Sequence, residues 1–402
     1  MFSLSHRTVA AAPSRAYSTP ALADKFRFFV TCARGTEGAL RRELAAMRIA
    51  GAKGDRGGVW FEGPLTMGMS VCLRARVAVR VLMQLGEFDA SDGPSLYAGA
   101  RRFPWRDWLT DRSTLSVHGS VRDTPALTHS GFAALKVKDA VVDALRDAYG
   151  ARPDVDTKSP DVGIVVHIAA GHAGLFLDLA GEALHRRGYR VAMVEAPLKE
   201  TLAAAVLALG GAQPDLPFVD PMAGSGTLAI EHALAARGVA PGLRRRFGFE
   251  RWPSLPPEAL ATFQRMRAEA EEAAIAAQRA PLPPIVCSDV AADAVAAARQ
   301  NASAAGVDDA ITFQRADVAT LEKRAPAGTV VTNPPYGERL KPDTLGGLYR
   351  SMARVFERLA GWRVVVLSGS PLWTREMRRK PAISHKLWNG PLEVRLLCYD
   401  VR

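Results

Sequence analysis

The sequence predicts an α/β protein with a doubly wound, parallel-sheet domain in its second half and two small α+β modules in its first. Three observations carry this. From residue 186 onward, short apolar runs alternate with helical segments. The first four of those runs stop at an acid or at an Asn-Pro-Pro loop. The first 185 residues instead string short strands and helices, in β-α-β-α-β order over 26–89. Parallel strands need crossovers, which are usually helices, so a strict strand-helix alternation implies a sheet covered on both faces. At 402 residues the chain is longer than one core usually spans, and 48% apolar with 23% charged residues marks it as globular.

The elements follow in order. Residues 1–25 have the composition of a disordered tail, an organellar transit peptide or an overlong start. FRFFVTCARGTEGALRRELAAM gives a strand, a Gly turn and a helix with Leu40 and Leu44 on one face. GGVWFEG is a strand closed by glycines, and PLTMGMSVCLRARVAVRVLMQLGEF a helix passing into a strand, which completes a first module over 26–89. A second module, 90–185, runs YAGARRFPWRDWL, the strand STLSVHGSV, the helix GFAALKVKDAVVDALRDAYG and a hairpin, GIVVHIAAG with AGLFLDLAG, turned by Gly171 and Gly174. The third region, 186–402, starts with a linker into the helix KETLAAAVLALGG. Strand-loop-helix units then follow, with an insertion from Gly238 to Pro284 read as a surface helix for substrate contact or packing.

Net charge is +11, carried mostly by arginine, which suits an anionic partner as well as a solvated basic surface. RRFPWRDW interleaves Arg101, Arg102 and Arg106 with three aromatics. It reads either as a stacking-and-phosphate surface or as a helix whose aromatics are core. Arg186, Arg187 and Arg190, with Arg244 to Arg246, are further candidates for RNA contact. Four dispersed cysteines have no metal-binding spacing and fit a reduced, cytoplasmic setting without a metal. No apolar run is long enough to span a bilayer, which needs about 20 residues.

In FVDPMAGSGTLAIEHAL an apolar strand ends at Val219, Asp220 follows, and Pro221, Met222, Ala223, Gly224, Gly226 and Thr227 lead into a helix. Ligands of doubly wound sheets bind at the carboxyl ends of strands, where glycines allow close backbone approach. The spacing is neither a dinucleotide fingerprint nor a phosphate-binding P-loop, and a tight turn with no ligand has the same outline. The next strand ends at Asp289, placed either for two ribose hydroxyls or as a helix cap. The third ends at Asp317, placed for an adenine amine. Together the three outline a pocket for an adenosine.

DPMAGSGT, SD, AD and NPPY in that order resemble the class I S-adenosylmethionine-dependent methyltransferases that act on exocyclic amines of bases. NPPYGERL, APLKETLAAAVL and NGPLEVRLLCYDV are similar to the THUMP-containing RNA guanine N2-methyltransferases. The resemblance covers residues 26–402. It implies a Rossmann-like methyltransferase domain preceded by ferredoxin-like and THUMP modules, with S-adenosylmethionine as cofactor. The expected reaction is methyl transfer to the N2 of a guanine in 23S ribosomal RNA, naked or in an assembling large subunit, by a monomer. Transfer RNA as substrate and a catalytically silent RNA-binding assembly factor remain as alternatives. The long bacterial form continues into a second methyltransferase domain, so a second modification by this chain is not expected.

The resemblance also gives the loop Asn333-Pro334-Pro335-Tyr336 a chemistry. An aromatic amine is a poor nucleophile because its lone pair is delocalised into the ring. Acceptance of its protons by the Asn333 side-chain oxygen and the Pro334 carbonyl favours a pyramidal nitrogen aimed at the methyl. Pro334 and Pro335 hold both acceptors rigid, and Tyr336 offers a ring for the flipped base.

Overall fold

The structure is a computed structural model and describes residues 25–194, 197–278, 280–336 and 342–402. The N-terminal tail and Gly337 to Lys341 of the NPPYGERL segment lie outside the described residues. The chain divides into two compact units. One holds most of the first 184 residues together with Arg246–Ala268; the other holds Ala33–Leu40, His185–Arg245 and Glu269–Arg402.

The first unit is built on strands β1 (Phe26–Thr31), β2 (Lys53–Asp55), β3 (Gly58–Gly63), β4 (Arg80–Asp89), β5 (Thr114–Arg122), β6 (Asp154–Val155), β7 (Val162–Ala169) and β8 (His172–Asp178), and on helices α2 (Leu65–Arg74), α3 (Gly93–Arg101) and α4 (Ser130–Tyr149), while α1 (Glu37–Ala46) begins in the other unit and ends in this one. Two separate modules are expected from the sequence, but the strands form one sheet ordered β2-β3-β1-β4-β8-β7-β5-β6. The join is β4 against β8, antiparallel from Leu82↔Asp178 to Asp89↔His172 with a bulge between Gln84 and Gly86. That pairing satisfies two strand edges that would otherwise stand open. The β7–β8 hairpin forms, but its turn is Ala170 and Gly171, both at positive φ (48° and 79°). Gly174 lies inside β8, where a Cβ would fall 3.0 Å from the Phe176 ring, so its role is close packing.

Of the three aromatics of RRFPWRDW, Phe103 is half-buried and the two tryptophans are core. Trp105 and Trp108 are buried, Trp105 Nε1 donates to the Ala100 carbonyl (2.8 Å), and Trp108 meets Trp252 edge-on. Stacking of bases on them, one of the two readings of this segment, is therefore excluded by burial. Arg102 and Arg106 are exposed, while Arg101 is ion-paired to Asp147 and donates to the Tyr97 hydroxyl. The insertion serves packing: Phe247, Phe249 and Phe263 form a buried aromatic cluster in this unit, and Arg267 is paired with Glu250.

The second unit carries β9 (Phe218–Asp220), β10 (Ile285–Asp289), β11 (Ile311–Arg315), β12 (Gly328–Thr332), β13 (Trp362–Ser368), β14 (Ile383–Asn389) and β15 (Leu392–Asp400) in the order β11-β10-β9-β12-β13-β15-β14. The first five are parallel; β15 runs antiparallel to both of its neighbours. Its helices are α5 (Glu200–Gly210), α6 (Thr227–Ala236), α8 (Ala292–Ala305), α9 (Pro342–Phe356) and α10 (Pro371–Met377), while α7 (Pro257–Ala277) begins in the first unit and ends in this one. Because β9 has β10 on one side and β12 on the other, strand order reverses there, which opens a crevice above its carboxyl end. The edge strand β14 is covered by the short N-terminal segment of this unit: Trp388 N donates to the Arg34 carbonyl (3.1 Å), and the Arg34 guanidinium stacks 3.8 Å over Trp388. Among the described residues no helix is long and apolar enough to cross a membrane.

Candidate active site

Asp220 ends β9 and is 1% exposed, with the Met222 amide donating to Oδ1 at 3.3 Å. The chain then turns sharply. Gly224 and Gly226 take positive φ (52° and 80°), which the glycines permit without strain. A Cβ on Gly226 would sit 2.9 Å from the Ala298 methyl, so this glycine also lets α8 approach the loop. On β10, Asp289 braces the loop: Oδ2 accepts from Gly224 N (2.9 Å) and Oδ1 from Ala291 N (3.0 Å). The capping role of Asp289 therefore does not use up its carboxylate: one oxygen orders the entry to α8, and each oxygen keeps a lone pair.

These groups line a cavity of about 260 Å³. It holds Asp220, Met222, Ala223, Gly224, Ser225, Thr227 and Asp289 on one side, Asn333 and Pro335 on another, and Val194, Pro197 and Leu198 on a third. Burial pushes the Asp220 carboxyl up to about 8, and the neighbouring Asp289 charge adds to the rise. Cys287 lies behind both acids; burial raises its thiol well above the usual range, so it is an inert core residue.

Asp317 is placed differently from the expectation. Its side chain accepts from Ala319 N (2.8 Å) and caps the 3₁₀ turn Val318–Thr320. It borders a separate hollow of about 140 Å³ with Pro221, Val286, Ser288 and Trp362. The cavity with Asp220 and Asp289 thus gathers two of the three strand-tip acids.

The loop after β12 is pinned from two sides. Tyr349 Oη donates to the Pro335 carbonyl (2.7 Å), and Asn389 Nδ2 donates to Tyr336 Oη (2.8 Å). Tyr336 is 4% exposed, and a Cβ on Gly369 would meet its ring at 2.7 Å. An open stacking platform is therefore not what the loop presents: the ring is packed and the hydroxyl engaged. Asn333 contrasts with it. Its Oδ1 is buried in the cavity wall with no hydrogen-bond partner among the described residues. A buried amide oxygen without a donor costs free energy unless something arrives to supply one.

Two of the arginines expected at RNA are internal. Arg187 is buried with its guanidinium 3.6 Å from the Glu231 carboxylate. Arg190 donates to Glu200 Oε1 (2.9 Å), Ser225 Oγ (2.8 Å), Leu198 O (3.0 Å) and Thr227 Oγ1 (3.0 Å), so its charge fastens the segment before α5 to the glycine loop. Neither presents a guanidinium to RNA; Arg186 is exposed. The wall formed by Val194, Pro197 and Leu198 and the Arg190 clamp went unread in the sequence, because an irregular linker has no periodicity to expose it.

Comparison with known proteins places all three regions of the chain. A methyltransferase-domain model described as RMKL-like matches residues 187–397, a THUMP domain model 90–178 and an RlmL ferredoxin-like domain model 27–82. The chain is 40% identical over 387 residues to the ribosomal RNA large subunit methyltransferase K/L of Syntrophotalea carbinolica, covering 93% of this chain and 53% of that one. It is 42% identical to the protein of the same name from Magnetococcus marinus, covering 88% and 50%. The chain thus spans about half the length of the curated relatives it matches. Among solved structures, a methyltransferase complexed with SAH superposes with a TM-score of 0.85 at 29% identity, covering 94% of this chain and 98% of that one. A Listeria monocytogenes protein described as a predicted N6-adenine-specific DNA methylase superposes at 0.82 with 34% identity, covering 94% and 96%.

Proposed function

Because the chain belongs to the RMKL-like methyltransferase family, we propose that it moves a methyl group from S-adenosylmethionine to the exocyclic N2 of a guanine in 23S ribosomal RNA. The observation that carries the reading is Asn333, which lines the same cavity as Asp220, Asp289 and the glycine loop and whose buried Oδ1 has no hydrogen-bond partner among the described residues.

S-adenosylmethionine supplies an electrophilic methyl on a cationic sulfur. Asp289 would accept from its ribose hydroxyls, the backbone at Gly224 and Gly226 allows close approach, and Asp220 and Asn333 bound the space beside them. The fit is chemical as well as spatial: a cationic ligand favours the ionised form of the buried Asp220, which the free site disfavours. On the substrate side, Asn333 Oδ1 and the Pro334 carbonyl accept from the target amine and fix its lone pair. The Tyr349 and Asn389 contacts hold that loop in place. No covalent intermediate is needed, so rate comes from positioning. Tyr336 acts by keeping the loop rigid, and the base is held by other groups.

RNA as substrate is supported by the THUMP match over 90–178 and by the relatives named for large-subunit ribosomal RNA. The Listeria description sets DNA adenine as the rival. Purified chain is offered methyl-labelled S-adenosylmethionine with ribosomal RNA, transfer RNA or duplex DNA. Label in ribosomal RNA is the expected result; label confined to DNA or transfer RNA overturns the proposal.

A further inference from the structure

We propose that Asn301, on α8 and outside the cavity lining, is a positioning residue that sets the spacing of the cofactor site through its side-chain amide. Asn301 is 0% exposed. Its Oδ1 accepts from both Val191 N and Ala192 N (2.9 Å each). Its Nδ2 donates to Ala192 O (2.9 Å) and to Ser225 O (3.1 Å). All four hydrogen-bonding positions of one amide are therefore used, two as acceptor and two as donor. They join segments far apart in sequence: the strap Arg190–Val194 and the glycine loop at Ser225.

Strap and loop both line the cavity. Val194 and Leu198 belong to its lining together with Gly224 and Ser225, and Val194 Cγ2 is 3.6 Å from where a Cβ on Gly224 would stand. Arg190 ties the same two walls through Ser225 Oγ, Thr227 Oγ1 and Leu198 O. The two ties differ in kind. Arg190 grips mainly side-chain hydroxyls, whereas Asn301 grips backbone and so fixes where the chain itself runs. No other side chain of similar size offers two acceptor and two donor positions in one plane. Aspartate keeps the acceptors but sets an oxygen against two carbonyls; alanine leaves all four backbone groups without Asn301.

The inference rests on the reading that this cavity takes S-adenosylmethionine. Calorimetric binding to the unaltered full chain tests that reading separately, since failure there leaves nothing to compare. With binding established, Asn301→Ala and Asn301→Asp should each weaken cofactor affinity roughly ten- to hundredfold, the scale of buried backbone groups losing their partner. At saturating cofactor, kcat should stay within about twofold of the original, because Asn301 touches neither reactant, so the loss falls in KM. Hydrogen exchange gives a readout independent of turnover: the Val191 and Ala192 amides should exchange faster in Asn301→Ala and keep protection in Asn301→Asp, which retains Oδ1. Unchanged affinity in both variants, or unchanged exchange at Val191 and Ala192 in Asn301→Ala, overturns the proposal. If alanine prevents folding, the near-isosteric Asn301→Asp carries the test alone through the same affinity and KM measurements.

Discussion

At the scale of single residues, the site rests on two buried polar groups whose needs the free protein leaves unmet. Asn333 Oδ1 has no donor among the described residues, and Asp220 is held protonated well above the usual carboxylate range. Asn333→Ala should leave cofactor affinity nearly intact and slow single-turnover methyl transfer by roughly two to three powers of ten, the scale for one preorganised transition-state group. Equal rates would remove Asn333 from the chemistry. Asp220 gives a stability prediction with a definite sign. Its folded pKa of about 8 lies above an unfolded value near 4, so the folded state holds a proton that the unfolded state releases. Stability without cofactor therefore falls as pH rises from about 4 to about 8 and levels off above. Asp220→Asn, always neutral, should lack that slope, so its melting temperature relative to the original should rise across the window; a constant difference would contradict the assignment. Tyr336→Phe strands Asn389 Nδ2 and should cost about 0.5–1.5 kcal/mol in chemical denaturation, with Tyr336→Ala costing more through the lost ring.

At the scale of elements, what the sequence showed and what it hid divide by whether a local rule was at work. The strands ending at Asp220 and Asp289, the glycines after the first and the proline stop after Thr332 were all legible, because strand ends and positive-φ turns depend on a few neighbouring residues. The partners of Arg187, Arg190 and Tyr336 were not, since Glu231, Ser225 and Asn389 lie 44, 35 and 53 positions away and only tertiary packing brings them together. A run of arginines looks the same in sequence whether it faces RNA or a buried glutamate. The join of β4 to β8 escaped for the same reason: each strand reads as the end of its own module. Arg187→Ala should therefore act on stability, leaving the Glu231 carboxylate buried without its ion pair and costing roughly 3–5 kcal/mol in denaturant unfolding. A loss of RNA affinity with unchanged stability would return Arg187 to the surface role.

At the scale of the whole molecule, the charge of +11 and the exposed Arg102, Arg106 and Arg186 would make the proposed RNA affinity an electrostatic property of the full chain. Binding should weaken steeply with salt, and each arginine that contacts a phosphate should, when replaced by alanine, flatten the log–log slope by about one. The central claim is the identity of the methylated atom. The full chain is incubated with S-adenosylmethionine and unmodified ribosomal RNA, the RNA is digested to nucleosides, and the methylated product is identified by mass spectrometry against standards. The account predicts N2-methylguanosine, absent when Asn333→Ala replaces the original in the same short incubation; N6-methyladenosine, or a methylated guanosine formed equally well by the Asn333→Ala chain, would contradict it.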